Sequence, residues 1–361
     1  MNKASLKKTI YRLPAEWEPQ DAIQLTWPHA KTDWADCLPD ITATFVQLTA
    51  AMARYQRVVI AAQEPEAVMS LLRQRLQGKE LERVDCYSCR NNDTWARDHG
   101  PITLTSADAA PLLLDFRFNG WGGKFPAELD NAVTRSLHAQ HAFSGLLEDH
   151  DDFVLEGGSV ESDGKGTILT TSLCLLAPHR NQPLTRDEIG RELCCMLRAE
   201  RVLWLDHGQL IGDDTDGHID TIARFAPHDT IVYVGCDDTS DPQYADLKAM
   251  EAQLRDFRTT GGQPYRLLPL PMPRACCYGG ERLPATYANF VVLNGAVIVP
   301  TYGQPDNDSQ AMQTIAEAFP GRDIVGMDAL TVIRQHGSLH CLTMQLPVGA
   351  VPADNVARSA G

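Results

Sequence analysis

Two alternating periodicities constrain this chain's fold more than any other feature of its sequence. Short runs rich in apolar and β-branched residues, Arg57 to Ala62, Pro111 to Phe118, Arg201 to Leu205, Thr230 to Val234 and Phe290 to Pro300, read as strands. Between them, Ile41 to Arg54, Glu66 to Gln77, Arg186 to Arg198 and Tyr244 to Arg258 space apolar residues at three and four, the period of a helix with one buried face. Glycine's access to the left-handed cap predicts that the last helix ends near Gly261-Gly262. Strands alternating with helices predict an α/β or α+β architecture and leave strand order open. No sequence repeat is visible. With 361 residues and no evident linker, the expectation is one large domain over residues 1–351, followed by an unstructured tail from Pro352 to Gly361.

Composition narrows the partners. Net charge is −15, which disfavours nucleic acid and anionic membrane surfaces and favours a cationic ligand. No stretch approaches the roughly 18 to 20 apolar residues of a membrane span, and Met1 to Lys8 has no apolar run behind its basic residues, so a cytoplasmic location is expected. Ten cysteines are too sparse for a disulfide scaffold, and several, such as Cys194 and Cys195, sit in apolar surroundings. Most are therefore expected to be reduced and buried.

Four segments carry residues capable of chemistry. Cys341 follows a glycine-containing turn, Gln335-His336-Gly337-Ser338-Leu339-His340, and leads into an apolar strand. It is either an exposed nucleophile or a core cysteine. The neighbouring His340 does not decide between them, since adjacent strand residues face opposite ways. In Gly212-Asp213-Asp214-Thr215-Asp216-Gly217-His218-Ile219-Asp220, an extended backbone would turn His218 and Asp220 to one face and Ile219 to the core. A histidine for proton transfer and a carboxylate for a cation would then share a site. Asn92-Asp93-Thr94-Trp95-Ala96-Arg97-Asp98 places an aromatic wall, Trp95, near a carboxylate, Asp98, which suits a planar cation. Glu156 stands at the end of an apolar strand before Gly157-Gly158, where a backbone can approach a ligand closely. Taken singly, each also reads as an ordinary turn or surface loop.

Other motifs fail on spacing. An EF-hand register would put Gly212 at its first ligand and Ala223 where the bidentate glutamate belongs. A zinc or iron site on His218 and Asp220 stays open as a minor alternative that needs a third ligand elsewhere, since no HExxH accompanies them. Cys86-Tyr87-Ser88-Cys89 has no second pair, and Gly122-Gly123-Lys124-Phe125 lacks the remaining residues of a phosphate loop.

Together these segments resemble the agmatine deiminase family, which includes bacterial peptidylarginine deiminases, within the guanidino-modifying superfamily. The resemblance runs from Arg12-Leu13-Pro14-Ala15-Glu16-Trp17 to Met344-Gln345-Leu346-Pro347. Its most specific pieces are Asn92 to Pro101, Phe118 to Phe125 (FNGWGGKF), Glu156 to Ser159, Asp216 to Asp220 and His336 to Cys341. It departs from the family's commonest pattern at Gln335-His336-Gly337, where a glycine triplet usually stands. It implies a pentein β/α propeller, with five pseudo-equivalent modules around a central site. It also implies Cys341 as nucleophile, His218 and Glu156 as proton-handling groups, Asp98 and Asp220 as guanidinium clamps, and no metal or organic cofactor.

The implied reaction is hydrolysis of agmatine to N-carbamoylputrescine and ammonia through a cysteine thiouronium, in putrescine synthesis. Deimination of peptidyl arginine, amidine transfer and non-catalytic guanidine binding are the alternatives. The implied partner is a small guanidinium cation, and a homo-oligomer is left open. Agmatine is a dication without a carboxylate, so its far end needs an acid. Asp214, on the acidic loop before His218, is the candidate, with Trp95 covering the apolar stem.

Overall fold

The computed structural model describes residues 9–353. Within them the chain repeats one unit five times: a first strand antiparallel to a second, and a third strand parallel to the second. Ile102–Leu104, Leu112–Arg117 and Leu146–Val154 make one such sheet. Val160–Ser162, Thr167–Thr171 and Arg201–Leu205 make the next. Ala223–Ala226, Thr230–Val234 and Arg266–Leu270 follow, then Val291–Val292, Ala296–Thr301 and Asp323–Asp328. The two ends of the described chain complete the fifth sheet, where Thr343–Pro347 lies antiparallel to Gln20–Thr26, which is parallel to Arg57–Ala62. A further strand, Val84–Ser88, extends that sheet.

The crossovers follow from strand direction. A parallel partner cannot be reached by a tight turn, so the chain crosses over through a helix. Leu38–Ala53, Val133–Ala139, Arg186–Met196, Tyr244–Asp256 and Pro305–Ala318 make these crossings. In the first, Ile41, Phe45, Leu48 and Met52 form one fully buried stripe, and Pro39 sits in the opening turn where no amide donor is needed. The third opens on a capping box between Thr185 and Glu188. The central strands Thr167–Thr171 and Thr230–Val234 are buried along their whole length, as strands covered on both faces must be.

Several sequence expectations need correction. Phe290 to Pro300 is not one strand; it folds back at Leu293-Asn294-Gly295, where the Asn294 side chain pairs with the Gln20 backbone. The helix predicted to reach Gly261-Gly262 stops at Asp256, and Gly262, at φ +78°, instead closes a turn between Arg258 and Pro264. The helix predicted over Glu66 to Gln77 spans Pro65–Leu72. All ten cysteines are free thiols, but only Cys89, Cys174, Cys236 and Cys341 are buried, and Cys195 is exposed. Of the predicted tail, residues 354–361 lie outside the described residues, while the Pro352 carbonyl accepts a hydrogen bond from Arg57.

One buried cation joins the modules. Arg224, in the strand Ala223–Ala226, pairs through Nε with Glu161 of the preceding module and through a terminal nitrogen with Glu16, ahead of the first strand, at 2.6 Å. It also donates to the carbonyls of Ala288 and Phe290, which lead into the next module. Replacing Arg224 with Met should strand two buried carboxylates and cost about 3–5 kcal/mol of stability. Urea unfolding at neutral pH measures this, and a loss below about 1 kcal/mol would mean that the modules are held together by other contacts.

Candidate active site

Each module places a short turn just before its first strand, and these turns carry the candidate groups. Asp98 lies in the turn Ala96–His99 before Ile102, and Glu156 precedes the turn Gly157–Ser159 before Val160. His218 and Asp220 flank Ile219 before Ala223, Asn289 stands before Val291, and Cys341 stands before Thr343. All six side chains are buried. Gly158 shows how tightly they converge: a Cβ there would lie 2.6 Å from His218 Nδ1, 2.8 Å from Asp98 Oδ1 and 3.1 Å from Asp220 Oδ2.

Asp98 is held from two sides. Its Oδ1 accepts the Gly158 amide at 3.0 Å and lies 3.6 Å from His218 Nδ1, while Oδ2 accepts the Trp121 indole N–H at 2.9 Å. Trp121 can aim there because it takes the left-handed region, φ +55°, between Gly120 and Gly122. Asp220 Oδ2 accepts from His340 Nδ1 at 2.7 Å and from the Asn289 amide at 3.2 Å. Asn289 Oδ1 in turn accepts from the backbone amides of His340 and Cys341 and lies 3.4 Å from the Cys341 sulfur. That sulfur is 3.8 Å from Asp220 Oδ2.

Several buried polar atoms here have no hydrogen-bond partner: Asp220 Oδ1, both oxygens of Glu156 and both ring nitrogens of His218. Arg180 Nε lies 2.9 Å from Glu156 Oε1 in an ion pair that lacks hydrogen-bond alignment. Its outer nitrogens are taken by Asp216 and the Thr215 carbonyl. Buried polar groups left open cost stability, so their concentration in one place marks a site awaiting a ligand rich in donors.

A pocket reaches this cluster. It is lined by Asp33, Asp93, Trp95, Trp121, Phe125, Asp214, Thr215, Gln335 and Gly337, together with Asp98 and Cys341. Trp95 and Asp214 thus share one cavity wall with the candidate nucleophile, and a Cβ at Gly337 would overlap the Trp95 ring.

Comparison with known proteins places the chain. A family model for Porphyromonas-type peptidyl-arginine deiminase matches residues 12–347. The chain belongs to this family. A solved structure from Porphyromonas gingivalis named "Putative Arginine Deiminase" is 48% identical with TM-score 0.89, covering 95% of this chain and 100% of its own. A serine-for-cysteine variant of C. jejuni agmatine deiminase with substrate bound is 35% identical with TM-score 0.87, covering 97% and 100%. A curated relative from Marinomonas sp. (strain MWYL1), "Putative agmatine deiminase", is 31% identical over 93% of this chain and 94% of its own length. The fivefold arrangement is the pentein fold, and the chain is a hydrolase of carbon–nitrogen bonds in guanidino groups.

Two local geometries differ from the sequence reading. His218 and Asp220 do not alternate along a strand; Ile219–Thr221 is a 3-10 turn, which still buries Ile219 while gathering both polar side chains. His340 and Cys341 likewise sit in a turn, so both contact Asp220 Oδ2. Asn289, Trp121, Arg180 and His340 were not singled out by residue type. For Trp121 a usable signal existed, an aromatic set among glycines that favour positive φ, whereas Asn289 is a lone amide ahead of an apolar run.

The surroundings of Cys341 keep its thiol protonated at rest. Burial, then Asp220 and Asp98, push Cys341 well above its ordinary value. Burial alone would lower His218, but Asp98, Cys174 and Glu156 outweigh it and hold the ring charged. Burial, with Asp220 and Glu156, lifts Asp98 to about 6 against the pull of His218. Because the thiol is raised, thiolate is scarce near pH 8, and a bound cation should increase it by offsetting Asp98 and Asp220. Alkylation by iodoacetamide, followed at Cys341 by peptide mass spectrometry, should be slower than at exposed Cys195 and should accelerate about tenfold or more with a saturating unreactive guanidine. Equal rates with and without the guanidine would remove this coupling.

Proposed function

We propose that this chain is an agmatine deiminase, with Cys341 as nucleophile, His218 and Glu156 as proton carriers, and Asp98 and Asp220 as the clamp for the guanidinium. The observation that carries the substrate choice is the charge of the pocket wall. Its lining includes Asp33, Asp93, Asp98 and Asp214 and, among the described residues, no lysine or arginine. A dication is compensated there, whereas the carboxylate of free arginine would meet acids and no cation.

The open Oδ1 of Asp220 and the outward lone pairs of Asp98 offer acceptors to a planar donor fork. The guanidinium would lie between them with its central carbon facing the Cys341 sulfur. Its positive charge favours transfer of the thiol proton to solvent, and sulfur attacks the carbon. The bond to one terminal nitrogen breaks as that nitrogen takes a proton through His218 and leaves as ammonia, giving a thiouronium on Cys341. His218 then accepts a proton from water as the oxygen bonds to carbon, and the carbon–sulfur bond breaks to release N-carbamoylputrescine and the thiol. Trp95, Trp121 and Phe125 would pack on the butyl stem, and Asp214 would receive the far ammonium. Deimination of a peptidyl arginine remains the second reading, favoured by the family's name and by the backbone carbonyl of such a substrate, which needs no cation.

Incubation with agmatine, free arginine and an arginine peptide, with ammonia and ureido product measured, tests the substrate. Agmatine should be preferred by at least tenfold in kcat/KM. A preference for the peptide would replace this reading with the second. Replacing Asp214 with Asn should raise KM for agmatine about tenfold or more with kcat little changed, because that contact is the same in ground and transition states. An unchanged KM would remove Asp214 from the site. Replacing Cys341 with Ser should cut turnover at least a hundredfold.

A further inference from the structure

We propose that Glu156, Cys174 and His218 form a binding site for a borderline-soft divalent cation such as zinc, and that its occupation switches turnover off. Cys174 lies on the short helix Ser172–Leu175 beside His218 and is not one of the reacting groups described above. Its sulfur, one Glu156 oxygen and one His218 ring nitrogen all lie within 4.8 Å of one another, and all three side chains are fully buried. Bond lengths of about 2.0–2.3 Å to zinc give ligand separations of roughly 3.3–3.8 Å, so a modest contraction closes the site.

A second cluster shows that such spacing is not sufficient. Glu16, Glu161 and His340 are grouped as closely, but Arg224 runs among them and bonds all three. No acceptor there is free for an ion. In the first cluster the opposite holds: both Glu156 oxygens and both His218 nitrogens lack hydrogen-bond partners although wholly buried. Arg180 flanks Glu156 Oε1, yet its outer nitrogens are held by Asp216 and the Thr215 carbonyl, and among the described residues Oε2 has no hydrogen-bond partner.

The donor set selects the ion. Sulfur, imidazole nitrogen and one carboxylate oxygen suit zinc or cobalt and suit magnesium or calcium poorly. Thiolate and carboxylate together balance a divalent charge, and on binding the Cys174 thiol proton and the extra proton of the charged His218 ring both leave to solvent. Three protein ligands leave a fourth position for water. Inhibition follows because His218 and Glu156 would be held by the ion; that part rests on the roles proposed for them, whereas binding does not.

Cobalt(II) titrated into the reduced full-length chain reads binding directly through the thiolate-to-cobalt charge-transfer band. Wild type and Cys341→Ser should both show the band at one ion per chain with similar affinity, and Cys174→Ser should lose it. His218→Gln, which leaves the thiol in place, should bind at least tenfold more weakly, so the test does not depend on how the cysteine variant folds. No band in wild type, a band that survives Cys174→Ser, or one lost in Cys341→Ser would overturn the site. Zinc should inhibit turnover of agmatine, and a chelator should restore it. A band as expected with turnover unaffected would leave the site standing and defeat the proposed roles of His218 and Glu156.

Discussion

The structure depends on how it buries charge at the junction of its modules. Arg224 is fully buried, and its guanidinium meets carboxylates or carbonyls from the N-terminal segment, the preceding module and the following one. Taking such a cation out of water is tolerable only if nearly every donor is satisfied, so the modules must stand in one relative arrangement. Its contact with His340, 3.0 Å away, carries that requirement to Asp220 and thus to the site.

From this frame the placement of the site follows. Each module turns just before its first strand, and those turns are brought together where the modules meet. Asp98, Glu156, His218 with Asp220, Asn289 and Cys341 each arrive from a different module. None of their backbones must stretch to reach the others, which is how open acceptors and a raised thiol are held in fixed geometry without a ligand. The cost is a set of unsatisfied buried atoms, and the framework around Arg224 supplies the rigidity that keeps them from collapsing onto one another.

Much of this was legible in the sequence, and the failures share a cause. Three middle or third strands, Arg57–Ala62, Leu112–Arg117 and Thr230–Val234, stand out because burial of all but at most one residue makes them nearly continuous apolar runs, and Arg201–Leu205 stands out by its apolar residues although only Leu205 is fully buried. The first strands, such as Val160–Ser162 and Val291–Val292, are too short to show any period. The fivefold unit was therefore invisible as a repeat, since each module fills its positions with different residues. Candidate groups beside glycines, Glu156 and His218 among them, were found because the turn signal marks them. Arg180 and Asn289 were missed because only long-range pairing, to Glu156 in one case and to His340 and Cys341 in the other, brings them into the site.

The central claim is that Cys341 forms a covalent bond to the guanidino carbon while the neighbouring carboxylates hold the substrate. Rapid quenching of the enzyme during turnover of agmatine, followed by peptide mass spectrometry, tests it most directly. The account predicts a transient adduct on the Cys341 peptide with the mass of agmatine less ammonia, absent from every other cysteine peptide. Full turnover with no such adduct under conditions that trap a thiouronium standard, or an adduct on a different cysteine, would contradict it.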